Sequence, residues 1–426
     1  MTIAIFLGAL LGAMALGIPI AFALLATGVA LMWHQDLFDA QILAQNVING
    51  ADSFPLLAIP FFMLAGEIMN VGGLSRRIVN LALTLVGPVK GGLGYVTIMA
   101  AVLLSALSGS AVADAAALTA LLLPMMVQAG HDKARSGGLI AASGVIGPVI
   151  PPSIGFVIFG VAANVSISKL FLAGIAPGLM LGAALWCTWW WLGRHEKIAT
   201  GPRTSRAQVL KALRESTWAL MLPAIILVGL RLGVFTATEA AVVAAVYALF
   251  VSTVVYRELK LRQLHAIFVM AAKTTSVIML LIAAAMVSAW LITVAELPGK
   301  VIALLEPFMG NPTLLLMAIM VLVMIVGTAM DMTPTILILT PVLMPVVKAA
   351  GIDPVYFGVL FIINNAIGLI TPPVGTVLNV VAGVGRMRMD DVTRGVLPFM
   401  AAQLAVMFLL VLFPALVTTP ARWFSD

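Results

Sequence analysis

Leu107-Ser-Gly-Ser-Ala-Val-Ala-Asp114 is followed ten residues after its aspartate by Pro124, and later by Ile146-Gly-Pro-Val-Ile-Pro-Pro152. Val326-Gly-Thr-Ala-Met-Asp331 repeats the order, with Pro341 ten residues beyond its aspartate and Ile367-Gly-Leu-Ile-Thr-Pro-Pro373 after that. Each Pro-Pro pair is followed 22 residues later by a Gly-x-x-Pro step, Gly174 to Pro177 and Gly395 to Pro398. Three landmarks in one order at near-equal spacing mark a duplicated, helix-breaking, polar element set in apolar sequence.

The chain around these stretches has too little polar surface for a water-soluble globule: 62% of its 426 residues are hydrophobic and 9% charged. Its apolar runs reach the roughly 20 residues of a membrane-crossing helix, and the period-2 alternation of an outer-membrane barrel is absent. Lipid leaves backbone groups no partners outside the helix, so the fold reads as an all-α polytopic membrane protein. The net charge of +6 lies mostly in Lys and Arg of the loops between spans. The positive-inside bias alone places them there, so they are no sign of a nucleic-acid partner. The single cysteine, Cys187, says nothing about redox compartment. No basic segment precedes the first apolar run, and the first charge is Asp36, so the first helices are expected to stay in the mature protein.

Residues 2–34 read as two short tilted spans broken at Gly17-Ile-Pro19, followed by a polar loop to about residue 53 and a span at 55–70. An amphipathic stretch with Arg76 and Arg77 leads to the first special element, 93–128, the basic loop His131 to Arg135, and the Pro-Pro segment, 138–163. A span at 170–193 ends in Trp186, Trp189, Trp190 and Trp191, expected to form an interfacial belt. Residues 1–193 thus form a first half: scaffold 1–92, hairpin and broken helix 93–163, span 170–193. A basic linker over 194–215 separates it from the second half, 216–426, with scaffold 216–311, hairpin and broken helix 312–384, and span 396–419.

Spans at 216–233 and 238–256 lie between this linker and a second basic loop, Arg257 to His265, so both basic segments can face the cytoplasm. Counting spans outward from that anchor, including one at 267–292, places His131 to Arg135 and Arg386 to Arg388 inside and Lys348 outside. The two special elements then have opposite orientation, which makes an inverted-topology repeat.

Ser105 to Asp114 and Gly327 to Thr335 bring hydroxyls, a carboxylate and a helix-breaking glycine to membrane depth, with too little apolar sequence on either side for two full crossings. Both read as re-entrant helical hairpins with exposed backbone at the tip, tolerated only inside protein or along a cavity. Each Pro-Pro pair adds a break that frees Gly147 and Gly368 and loosens the turn around Ile150 and Thr371. Such oxygens suit a small hard cation, and the adjoining helix N-termini suit an anionic solute without any arginine. Asp114 and Asp331 can also cap the helix after each tip, a role compatible with a site role. Ser108, Ser110, Thr328 and Thr333 taken singly would read as packing residues; their place beside a repeated break argues for a site. Glu67 and Glu239 read as structural partners of basic groups. His34, His131, His195 and His265 lie in or beside loops, which argues against a metal or proton-relay site. No G-x-x-x-x-G-K phosphate loop is present.

At these residues the chain resembles the large membrane subunit of the tripartite ATP-independent periplasmic (TRAP) transporters. The likeness runs from Gly17-Ile-Pro-Ile-Ala21 through Ala58-Ile-Pro-Phe-Phe62, Leu107-Ser-Gly-Ser110, Pro151-Pro152 and Asp331-Met-Thr-Pro334 to Pro372-Pro-Val-Gly375. The resemblance implies an elevator-type secondary transporter in a bacterial inner membrane, driven by a sodium gradient. It implies a small four-helix membrane subunit, expected as a separate chain, and a periplasmic binding protein that delivers a carboxylate. By motif position it implies one sodium ion at Ser108, Ser110, Gly147, Ile150 and Pro152, and another at Gly327, Thr328, Gly368, Thr371 and Pro373. Asp114 and Asp331 match family aspartates beside the site; with Ser153, Thr333 and Asn365 they make up the expected substrate-site or site-supporting set. The loop Asn49-Gly-Ala-Asp-Ser53 and the Trp-rich span look similar to a subgroup handling sugar-derived keto acids such as 2,3-diketogulonate. Two other classes compete. An intramembrane aspartyl protease would use Asp114 and Asp331 as an acid pair, but the Gly-x-Gly-Asp motif of such enzymes is absent. The membrane subunit of an ATP-driven importer would draw on ATP in place of sodium.

Overall fold

A computed structural model describes residues 2–194 and 204–425, and the regular structure among them is helical. His195 and the linker residues 195–203 lie outside the described residues. Among the described residues nine helices are long and apolar enough to cross a membrane, and the protein is a multi-pass membrane protein.

The chain opens with α1 (Thr2–Ala15) and α2 (Ile20–His34), separated at Gly17 and Pro19 as the sequence suggests. The expected polar loop to residue 53 is instead mostly helical, α3 (Ala40–Ala51), and Asn49 to Ala51 are its last residues. Asp39 starts it by accepting the N–H groups of Gln41 and Ile42 at 2.7 and 3.3 Å, a cap that outweighs the polar composition. A short 3-10 turn leads to α4 (Ala58–Val71), then the amphipathic α5 (Leu74–Val86), which buries Leu74, Ile78 and Val79. On its other side Arg76 and Arg77 both reach Glu258, at 2.8 and 2.7 Å.

The first hairpin is α6 (Gly92–Ser108) and α7 (Ala111–Gln128). The first broken helix is α8 (Lys133–Gly144) and α9 (Ile154–Ala163), and α10 (Ile167–Gly193) closes this half. In the second half come α11 (Arg206–Arg231), α12 (Ala237–Phe250) with a π turn after it, the long α13 (Leu261–Val294) and α14 (Leu297–Met309). The second hairpin is α15 (Pro312–Ala329) and α16 (Met332–Ala349); the second broken helix is α17 (Pro354–Gly368) and α18 (Thr376–Gly385). Then come α19 (Met389–Leu412) and α20 (Ala415–Ser425).

The structure departs from the sequence reading in three further places. The linker's last ten residues are helical, because Ser205 and Gln208 form a capping box that starts α11 at Arg206 and not near 216. The last span does not run over 396–419: it starts at Met389 and stops at Leu412, where Pro414 blocks continuation, and α20 is separate. Of the supposed tryptophan belt, Trp190 and Trp191 are exposed, but Trp189 is buried, stacks on Phe399 and donates its indole N–H to the Gly91 carbonyl at 2.9 Å. Replacing Trp189 with Phe removes that bond and leaves the Gly91 carbonyl only the Gly94 N–H, at 3.1 Å. Denaturant titration of the detergent-solubilised protein should show a loss of about 1 kcal/mol.

The first hairpin meets the first break at its tip. Trp189 marks its base, through the bond to Gly91, whereas Gly174 and Gly178, toward the opposite end of α10, pack on Val149 and Ile150 of the first break. The tip meets that same break, since a Cβ built on Gly109 would collide with the Pro152 carbonyl oxygen.

The two broken helices run in opposite senses. At one end Lys133, starting α8, donates to the Arg386 carbonyl just beyond α18. At the other, Tyr356, starting α17, donates to the Leu410 carbonyl late in α19. Around this core α13 packs on α2, α3 and α4 and also on α16, α12 on α4, and α11 on α5.

Candidate functional site

A cavity of about 500 Å³ lies where the hairpin tips meet the breaks. Its walls include Gly109 to Val112, Pro148, Ile154 and Gly155, Asp331 to Thr333, and Leu369; Met63 of α4 and Lys273, Thr274, Val277 and Ile278 of α13 complete it. The N-termini of α7, α9 and α16 therefore open onto one space. Ser110 and Ser153 shape two of them, accepting the N–H groups of Ala113 and Phe156 at 3.4 and 3.2 Å. Helix N-termini offer unpaired N–H groups and positive dipole ends, so their convergence favours an anion. The volume suits a small organic solute. Lys273 is absent from the set read off the sequence; its one signal there is a lone cation inside the apolar run 267–292.

Beside the first tip, Ser108 donates its hydroxyl to Asp114 Oδ1 at 2.5 Å, and Ser110 N–H donates to Ser108 Oγ at 3.3 Å. Asp114 is only 4% exposed, and its Oδ2 has no hydrogen-bond partner. A Cβ built on Gly147 would lie 2.9 Å from that oxygen, so the carboxylate faces the break directly. None of the Gly147, Ile150 and Pro152 carbonyls accepts a backbone hydrogen bond among the described residues. Ser108, Ser110 and Gly147 thus meet beside a buried, unpaired carboxylate oxygen, while Pro152 meets the tip at Gly109 and Ile150 packs on Gly178. A buried charge without a partner is costly, and a small hard cation with oxygen ligands fits that need. The capping role open to Asp114 is filled by Ser110.

The second half is built differently. A Cβ on Gly368 would lie 3.0 Å from Gly327 Cα, so α15 and α17 touch backbone to backbone. The buried oxygen here belongs to Asn365: Nδ2 donates to the Met332 carbonyl at 3.2 Å, while Oδ1 is unpartnered and 3.4 Å from where a Gly327 Cβ would be. Thr328 and Thr371 donate their hydroxyls to the Ile325 and Ile367 carbonyls, at 2.7 and 2.8 Å. Pro373 is exposed, and Asp331 takes the N-cap position of α16 without a capping side-chain bond and lines the shared cavity. Gly327, Asn365 and Gly368 therefore come together, with a neutral carboxamide where the first half has a carboxylate. Both Pro-Pro peptide bonds are cis.

Outside the site, Glu239 pairs with no basic group among the described residues; it closes a capping box with Thr236. Glu67 also makes no ion pair among the described residues. His131, in the turn after α7, is buried against Trp189. Burial first, and the Arg135 charge second, push its pKa down, so it is neutral near pH 7.

The family model described as tripartite ATP-independent periplasmic transporter, DctM component, matches residues 7–416. The chain is 56% identical over 425 residues to the 2,3-diketo-L-gulonate TRAP transporter large permease protein YiaN of Escherichia coli (strain K12), covering 100% of both. It is 41% identical over 404 residues to the sialic acid TRAP transporter large permease protein SiaM of Vibrio cholerae, covering 95% of each. The C4-dicarboxylate TRAP transporter large permease protein DctM of Pseudomonas aeruginosa is 36% identical, with 89% of each covered. Among solved structures, the Alcanivorax borkumensis YdaH transporter superposes with a TM-score of 0.64 at 18% identity, covering 88% of this chain and 89% of that one, a likeness of fold.

Proposed function

This chain belongs to the DctM-component family of tripartite ATP-independent periplasmic transporters as a large permease subunit, and we propose that it imports a sugar-derived keto acid together with sodium. The observation that carries the proposal is the pairing of two features at one place: helix N-termini converging on a cavity, and an unpaired buried Asp114 oxygen beside the first tip. The first feature suits the solute's carboxylate. The second suits a coupling cation. The full-length relative named for 2,3-diketo-L-gulonate supplies the first solute to try.

In this reading Ser108, Ser110, Gly147, Ile150 and Pro152 hold one sodium ion, with Asp114 balancing its charge. Gly327, Thr328, Gly368, Thr371 and Pro373, supported by Asn365, hold another. A cation at either break ties a hairpin tip to a broken helix, which fixes the helix N-termini at the spacing the solute needs. Binding of ion and solute is thereby coupled, each raising the other's affinity by the same factor. Ser153 supports one of these N-termini; Asp331 and Thr333 line the cavity and can accept hydrogen bonds from solute hydroxyls.

The hairpins and broken helices form an inverted repeat that moves as one body against the scaffold of α2, α3, α4, α11, α12 and α13. The assembly includes a small four-helix membrane subunit and a periplasmic binding protein, in a bacterial inner membrane. None of the relatives named above is a protease or an ATP-driven importer. Proteoliposomes holding all three components, loaded without sodium and given labelled 2,3-diketo-L-gulonate, test this. Uptake should follow an inward sodium gradient and collapse when potassium replaces sodium. Equal uptake in potassium alone would reject sodium coupling.

A further inference from the structure

Among the described residues, Lys273 is the only Lys or Arg that lines the cavity, and Asp331 the only acid. No ion pair joins them or engages Lys273 elsewhere among the described residues. α13 starts at Leu261, so at 1.5 Å per residue Lys273 lies about 18 Å along the helix from its start, and about 12 Å beyond His265. That is deeper than the helix-end positions from which lysines reach back to water, and a cation at such depth normally faces a polar space and a partner. The wall opposite it is formed by the tips and their helix N-termini, which share its sign. Two positive features facing one space of this size require an anion between them, and Asp331 supplies only one negative charge at the rim of α16.

Resting on the reading above, we infer that Lys273 recognises the solute's carboxylate from the scaffold side, as the counter-charge that sets specificity for acids over neutral sugars. Its helix is not part of the hairpins: α13 packs most extensively on α2 and α3, where Ser288 donates to the Leu24 carbonyl at 3.2 Å and Gly50 packs on Met286, and its remaining contacts include α4 and the flank of α16 in the second hairpin. Lys273 therefore contacts the solute only while the tips stand beside α13, as they do here, and is left behind when they move. This divides the work. The tips carry the solute, and the lysine selects it.

The test uses the three-component proteoliposomes with labelled 2,3-diketo-L-gulonate over a range of concentrations. K273Q should raise KM about tenfold, the loss falling on KM more than on the maximal rate, and K273R should recover most of it by keeping the charge. A second measurement needs no variant: amine-reactive labelling of Lys273, read by mass spectrometry, should be slowed by the acid and not by a neutral sugar of the same size. Wild-type uptake together with an unchanged KM in K273Q, or labelling indifferent to the acid, overturns this inference and leaves the proposed function standing. Absence of wild-type uptake for every acid tried overturns the proposed function and this inference with it.

Discussion

Asp114→Asn is expected to lower sodium-driven uptake roughly a hundredfold or more, with the protein still assembled in the membrane. The substitution keeps the shape of the side chain and its capacity to accept the Ser108 hydroxyl at Oδ1. What it removes is the charge on the buried oxygen that faces Gly147. If a cation sits there, the variant leaves it uncompensated in a site shielded from water, and breaking a buried charge pair costs about 3 to 5 kcal/mol. One part of that loss appears as a higher sodium requirement and another as a lower maximal rate, so uptake should be measured against sodium concentration. Asp331→Asn provides the contrast: that carboxylate lines the open cavity and not a break. Its variant should alter the solute's apparent affinity while leaving the sodium dependence close to wild type. Equal sodium curves for wild type and D114N would show that the orphan oxygen is not a cation ligand.

That contrast marks how far the sequence can be read. Glycines, prolines and hydroxyls at matched spacing make both hairpins and both broken helices legible, because those residues interrupt helices wherever they stand. Loop charges predict opposite orientations for the two elements. The difference between the aspartates is not legible. Asp114 and Asp331 stand at the same distance before Pro124 and Pro341, yet Ser110 caps α7 and leaves Asp114 inside the first turn, whereas Asp331 is itself at the N-cap position. A shift of a few residues in where the helix begins turns one carboxylate into the break and the other into the cavity. An isolated lysine in an apolar run carries no spacing signal, so only the packing of α13 beside the tips shows which way Lys273 faces. Polar composition obscures α3 and the first turns of α11, though Asp39 and the Ser205-Gln208 box mark their starts.

Gly109→Ala should abolish uptake, and the reason can be separated into two parts by a control. Gly109 has a φ of 61°, a left-handed conformation that a Cβ makes unfavourable by roughly 1 to 2 kcal/mol. The same penalty applies at Gly130, with a φ of 90°, where a Cβ would meet nothing within 4 Å. Gly130→Ala therefore measures conformational strain alone, and it should keep substantial uptake with a small loss of stability. At Gly109 the added carbon would also collide with the Pro152 carbonyl oxygen and stand 3.1 Å from Ser153 Cα, which are backbone atoms and cannot rotate aside. The tip must then withdraw from the first break. Withdrawal moves Ser108 and Ser110 away from Gly147, Ile150 and Pro152, and takes the N-terminus of α7 out of line with that of α9. Both proposed functions of the tip, ion and solute, fail by the same displacement. Uptake at background in G109A beside retained uptake in G130A would place the cause in that contact; equal activity in the two would mean that the tip and the break need not touch for transport.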